Sequence, residues 1–184
     1  AEILNAAITD DTIHFPAETG TGFIKSILLE PDFCLRYYNF TCKQDISLDL
    51  FATYPADESK YELLFNIDPK DAPDASKNDF NSSRSTILLY SSGVEKKGVF
   101  SKNMSVRRLQ IIFTTKWLLE NYAEASVKME NLITDLATKN KSTIVSENMD
   151  TQSRFVATQL ANELDKNSYP QIHIKTACFI LLND

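Results

Sequence analysis

Histidine is almost missing from this 184-residue chain, which holds only His14 and His173. There is no HxH pair and no CxxC among Cys34, Cys42 and Cys178. A zinc or iron centre built on imidazole or thiolate is therefore not expected. Asp68, Asp71 and Asp74 lack the alternating spacing of a carboxylate calcium loop. No metal and no cofactor are expected, and His173 reads as a helix-surface residue. Three cysteines, an odd number, read as buried reduced thiols that pack as small hydrophobes, which fits a reducing cytoplasm.

Nucleophilic chemistry is equally thin. No GxSxG is present, and Cys34 and Cys42 fall inside expected strands with no histidine near them in sequence. The carboxylate pair Asp57-Glu58 sits in a polar loop, where it is solvated. Gly20 and Gly22 make a GxG, but the third glycine and the following helix of a phosphate loop are missing. The chain is not expected to be an enzyme. No run approaches the ~20 apolar residues of a membrane span, and the acidic N-terminus has no signal-peptide layout. No membrane partner is expected. A net charge of −6 argues against this chain gripping nucleic acid itself, which needs clustered Lys and Arg over the phosphates.

What is present is an ordinary globular composition, 43% apolar and 24% charged, long enough to bury a real core. Residues 22 to 54 organise it as three strands, Gly22 to Glu30, Phe33 to Thr41 and Ile46 to Tyr54. Ile46, Leu48, Leu50 and Ala52 alternate with polar or outward positions, the period of two of a sheet with one buried face. The joints at Pro31-Asp32 and Lys43-Gln44-Asp45 are short, so the three are expected to be antiparallel neighbours. Before them, Thr12 to Phe15 is a short alternating piece, and residues 17–22 read as a turn.

Further strands are expected at Tyr61 to Ile67, Thr86 to Ser91, Lys97 to Ser101 and Ser105 to Thr115. In the last, Leu109, Ile111 and Phe113 face one way while Arg108, Gln110 and Ile112 face the other. Residues 68–85 read as a long mobile loop, a lid or a plain surface excursion. About eight strands spaced by turns suggest an antiparallel β-barrel or jelly roll.

From Lys116 onward glycine disappears and the period changes. Met129, Leu132, Ile133 and Leu136 recur at helical spacing, as do Phe155, Val156, Leu160 and Leu164. Asp150 or Thr151 is a candidate N-cap, and Ser168 another, with Pro170 in the first turn of the final helix. A tail of three or four helices is expected. Its broad apolar face must pack on the barrel, on itself or on a second subunit. Phe155, Val156, Leu160, Leu164 and Phe179 are the candidate homodimer contacts, and Leu160→Glu is expected to part the dimer without unfolding the barrel. The boundary is placed at 116/117, with a barrel over 1–116 and a dimerisation region over 117–184.

The strands are crowded with Tyr37, Tyr38, Phe40, Phe51, Tyr54, Tyr61, Phe65 and Phe113. Arg36 and Arg108 lie within strands, where an inward unpaired charge is expensive. Aromatic walls with a few convergent polar groups make a small-molecule pocket. The candidate lining is Arg36, Tyr38, Phe40, Phe51, Tyr61, Phe65 and Arg108. The plainer alternative is that the aromatics are core and the arginines face water.

Three stretches also carry a family resemblance. Residues 14–25, HFPAETGTGFIK, fit an FPxxxGxGxI pattern leading into a barrel; Val106 to Trp117 is the closing strand; Ile174 to Asp184 is an apolar final helix. Together they resemble the N-terminal effector-binding and dimerisation half of bacterial AraC-family transcription regulators. The resemblance implies a cupin-like barrel, helices that pair subunits, an unknown small-molecule effector, and DNA contact only through a C-terminal helix-turn-helix domain beyond this chain. It assigns no effector residue. The alternatives are a metal-free cupin-like barrel that binds a small molecule or carbohydrate outside transcription, and, third, a cupin-type isomerase.

Overall fold

The computed structural model describes residues 7–9, 11–49, 60–67, 86–91, 97–122, 144–166 and 170–183. These form ten strands and three helices: β1 (Ala7–Thr9), β2 (Thr12–His14), β3 (Gly20–Glu30), β4 (Phe33–Cys42), β5 (Ile46–Asp49), β6 (Lys60–Asn66), β7 (Thr86–Ser91), β8 (Lys97–Phe100), β9 (Ser105–Thr114), α1 (Thr115–Tyr122), β10 (Ile144–Asn148), α2 (Thr151–Asp165) and α3 (Gln171–Asn183). The chain is mostly β, with helices at its C-terminal side.

Eight strands make one antiparallel sheet, ordered β1-β2-β3-β4-β9-β6-β7-β10, while β5 pairs with β8 alone. β1 and β10 are its two edges, and no ladder joins them among the described residues. The expected barrel is thus an open sheet carrying a separate two-stranded ribbon. Alternation identifies strands without saying which of them pair, and here the pairing departs from sequence order. β5 does not neighbour β4 as expected; β9 takes that place, with Tyr38 opposite Arg108 and Arg36 opposite Gln110. β10 is a further correction, a strand within the stretch read as wholly helical, added to the edge of β7.

The start of β3 shows why its glycines matter. Gly22 pairs with Phe40 at φ 107°, and a β-carbon there would lie 2.1 Å from the Asn39 carbonyl oxygen. Only glycine fits such an approach. Gly22 lies in the expected strand, and Gly20 joins it, so β3 begins two residues earlier than expected. The β3–β4 joint is as tight as expected, with Asp32 in the left-handed region at φ 66°.

One sheet face is buried under the helices. Phe33, Leu35 and Tyr37 of β4, Leu109, Ile111 and Phe113 of β9, and Tyr61 and Phe65 of β6 meet Ala157, Leu160, Ala161 and Leu164 of α2 and Ile174, Cys178 and Leu181 of α3 in one core. Ala157 and Ala161, both 0% exposed, let the α2 backbone come close to the sheet. Asp150 caps α2 as expected, its carboxylate accepting from the Ser153 N–H at 2.7 Å. Pro170 precedes α3 instead of sitting in its first turn, and its carbonyl accepts from the His173 N–H at 2.9 Å. Ser168, Phe51 and the 129–136 repeat lie outside the described residues.

This core changes the reading of the helices. Leu160 and Leu164, expected at a subunit interface, are 2% and 3% exposed inside the chain's own core. Val156 and Phe179 pack at its margin, and Phe179 lies 5.6 Å from Trp117, ring centre to ring centre. Of the five candidates only Phe155 projects outward, 64% exposed. An apolar helix face signals burial, and the nearest available partner was the sheet. The 116/117 boundary does not divide two cores, since sheet and helices share one.

Candidate functional site

The other face of the sheet carries chemistry. Period two sends Arg36, Tyr38 and Phe40 of β4, Arg108 and Gln110 of β9, Glu62 and Asn66 of β6, and Thr86 and Tyr90 of β7 to this side. Its lower end is apolar: Phe15, Phe40, Cys42, Met104 and Val106 pack under Ile46 of β5 and Phe100 of β8. Its far end holds Leu64, Leu88 and Tyr90. Between the two lies a belt of buried polar side chains.

Gln110 is its hub, 2% exposed. Its Oε1 accepts from the Tyr38 hydroxyl at 2.6 Å, and its Nε2 donates to Glu62 Oε2 and, at 3.0 Å, to the Tyr90 hydroxyl oxygen. Each partner suits one end of the amide, so donor and acceptor sides are both used. Glu62 is 2% exposed and Arg108 6%. The Arg108 guanidinium stands 5.5 Å from the centre of the Phe100 ring, within cation–π range.

The belt bears the electrostatic marks of burial. Arg108 is pushed down to about 10, chiefly because removal from water disfavours its charge. Burial likewise raises the Tyr38 and Tyr90 phenols, with the Glu62 carboxylate adding to the rise. Both phenols stay protonated and can donate at neutral pH.

One atom in the belt is unsatisfied. Asn66 Nδ2 donates to Thr86 Oγ1 at 2.9 Å, but Asn66 Oδ1 is buried with no partner among the described residues. A buried acceptor left open is destabilising by roughly 1–3 kcal/mol. Asn66 lies directly opposite Arg108, which lies opposite Tyr38, so these three form one row across β6, β9 and β4. Directly opposed side chains start about 5 Å apart. The row therefore sets a buried amide, a guanidinium and a phenol side by side.

The expected lining residues divide between the two faces. Arg36, Tyr38, Phe40 and Arg108 share the belt side; Arg36 lies directly opposite Gln110, with its Nε donating to Ser26 Oγ at 3.3 Å. Tyr61 and Phe65 point the opposite way, into the core beneath the helices. The four residues that sequence reasoning left out of the site are Glu62, Asn66, Tyr90 and Gln110. A signal existed: Tyr61, Leu63 and Phe65 on one face of β6 force Glu62 and Asn66 onto the other. Cys34, Cys42 and Cys178 are free thiols, and no metal-binding cluster occurs among the described residues.

A second polar cluster, on the helix side, fastens α2 to the sheet. Asp165, at the end of α2, accepts from the Tyr37 hydroxyl at 2.7 Å, from Asn39 Nδ2 at 2.8 Å and from an Arg107 guanidinium nitrogen at 2.9 Å. Arg107 also donates to Asn162 Oδ1 at 2.7 Å and to the Tyr37 hydroxyl oxygen at 3.2 Å. No family model, curated protein or solved structure matches the chain.

Proposed function

We propose that the chain is a ligand-sensing domain whose belt of Tyr38, Glu62, Asn66, Tyr90, Arg108 and Gln110 takes a small polar molecule. The observation that carries this reading is the buried Asn66 Oδ1, which has no partner among the described residues, in one row with Arg108 and Tyr38. A polar network kept only for structure closes on itself, as Gln110 does with its three neighbours. An open acceptor opposite a buried cation instead suits a ligand that donates a hydroxyl or amine to Asn66 and presents an acceptor to Arg108.

The family-level part of the proposal is a sensor of the AraC type. What supports it is the sequence pattern of residues 14–25, Val106 to Trp117 and the apolar final helix; the sheet itself is open. Effector occupancy would bias the helices, and through them the arrangement of two subunits and of DNA-binding domains beyond this chain. Such coupling requires a ligand that favours one of two states. Within this reading the homodimer forms through the outer helix surface bearing Phe155.

The test is a thermal-shift screen against sugars, aromatic acids and siderophore-like compounds. Saturable stabilisation by one chemical class is expected, because a ligand that binds only the native state raises its stability by mass action. A well-folded protein that no compound shifts would contradict the reading.

A further inference from the structure

We propose that the Arg107–Asp165 clasp is the coupling element between the polar belt and α2, a regulatory role that rests on the ligand-sensing reading above. Both clusters hang on the same pair of strands at the same place. Tyr38 pairs with Arg108, and the adjacent pair is Asn39 with Arg107. Successive side chains on a strand leave by opposite faces. So Tyr38 and Arg108 enter the belt, while Tyr37, Asn39 and Arg107 emerge on the helix side and grip Asp165. A shift of the β4–β9 backbone needed to seat a ligand on Arg108 and Tyr38 is a shift of the residues that hold the end of α2.

The clasp is poorly explained as helix chemistry. A carboxylate at a helix C-terminus faces the negative end of the macrodipole, so Asp165 weakens α2 on its own account. Its three donors all come from β4 and β9. Asp165 thus makes the last turn of α2 dependent on the sheet. Ala157, Leu160 and Ala161 anchor the helix further up by apolar contact, while the last turn holds to the sheet through Leu164 and the Asp165 clasp, so it is the part a small strand movement reaches. α3 docks elsewhere, with Lys175 donating to Glu30 and Gln171 Nε2 donating to the Leu28 carbonyl at 2.8 Å.

Hydrogen exchange of the whole chain tests this without any ligand. Tyr38→Phe removes the belt hydroxyl that donates to Gln110, and Asp165→Asn loosens the clasp. Tyr38→Phe is expected to raise exchange at residues 160–166 several-fold more than in α3, which serves as the internal reference. In the Asp165→Asn background that extra effect should fall by at least half. Equal changes in α2 and α3, or effects of the two substitutions that simply add, would overturn the proposal. Should Tyr38→Phe not fold, Arg108→Lys supplies the belt perturbation with the same expected outcomes. A screened compound that stabilises the protein yet leaves exchange at 160–166 unchanged would overturn the clasp and leave ligand binding standing. Mutational coupling that survives a screen in which nothing binds would support the clasp as a mechanical link and remove the sensing reading.

Discussion

Tyr37 and Tyr38 are adjacent in the chain and serve opposite faces of the sheet: the first hydroxyl donates to Asp165 on α2 at 2.7 Å, the second to Gln110 in the polar belt at 2.6 Å. Strand alternation alone makes this possible. It puts a buried polar site and a helix anchor back to back on β4, and Arg107 and Arg108 repeat the arrangement on β9.

Leu160 and Phe155 separate the core from any subunit contact. Leu160→Ala should lower unfolding free energy by about 2–5 kcal/mol, and Leu160→Glu should unfold the chain instead of dissociating a dimer. Phe155→Glu should leave the denaturation midpoint nearly unchanged, within ~0.5 kcal/mol, and weaken self-association. Urea denaturation and sedimentation velocity check the two expectations separately.

Arg108 is held as a cation in a place that disfavours cations. Arg108→Met removes this charge at similar side-chain volume and should leave the protein folded, at a cost of about 1–3 kcal/mol from the buried groups that lose their contact with the guanidinium. It should also abolish stabilisation by any ligand found in the screen. A large loss of stability would mean that the guanidinium is chiefly a structural strut.

Stability should fall at alkaline pH. Burial raises the Tyr37, Tyr38 and Tyr90 phenols above the ordinary 10.0, and it lifts the Cys42 thiol from 9.0 to about 11. The unfolded chain therefore releases these protons first. The contribution is complete below the unfolded values and is lost as pH climbs towards the folded ones. Urea midpoints measured from about pH 8 to about pH 11 should decline, and Tyr90→Phe should make the decline shallower. An unchanged slope in that variant would contradict the assignment.

Trp117 reports on α3. It is the one tryptophan of the chain, 3% exposed, stacked on Phe33 at 4.0 Å and donating its Nε1–H to Glu30 at 2.8 Å. The hydrogen bond from Lys175, then that from Trp117, holds the Glu30 carboxyl below its ordinary 4.5. That contribution is present above pH 4.5 and is lost as pH falls further. Acidification should move tryptophan emission to longer wavelength, and Glu30→Gln should show the shifted emission already at neutral pH.

Much of the sheet was legible because its strands alternate cleanly. The facing of Leu109, Ile111 and Phe113 against Arg108 and Gln110 was readable from β9 alone. Strand partnership was not, since the β4–β9 ladder joins residues 33–41 to 105–113 and no local pattern records so distant a pairing. Nor was β10, a five-residue strand whose place depends on the free edge of β7. Two of the six belt residues, Tyr38 and Arg108, were found through their ring and charge. Glu62, Asn66 and Gln110 were missed because a lone polar residue in an apolar strand reads as outward-facing until a second layer covers it. Leu160 and Leu164 of the α2 stripe are buried and Phe155 is exposed, and the sequence does not say whether the sheet or another subunit covers such a stripe.

The most direct measurement is the saturable thermal shift of the screen's best compound, repeated on Asn66→Ala, Gln110→Leu and Phe155→Glu. Loss of the shift in the first two, with full retention in the third, is the predicted result. An undiminished shift in Asn66→Ala and Gln110→Leu would place the ligand elsewhere and contradict the account of the belt.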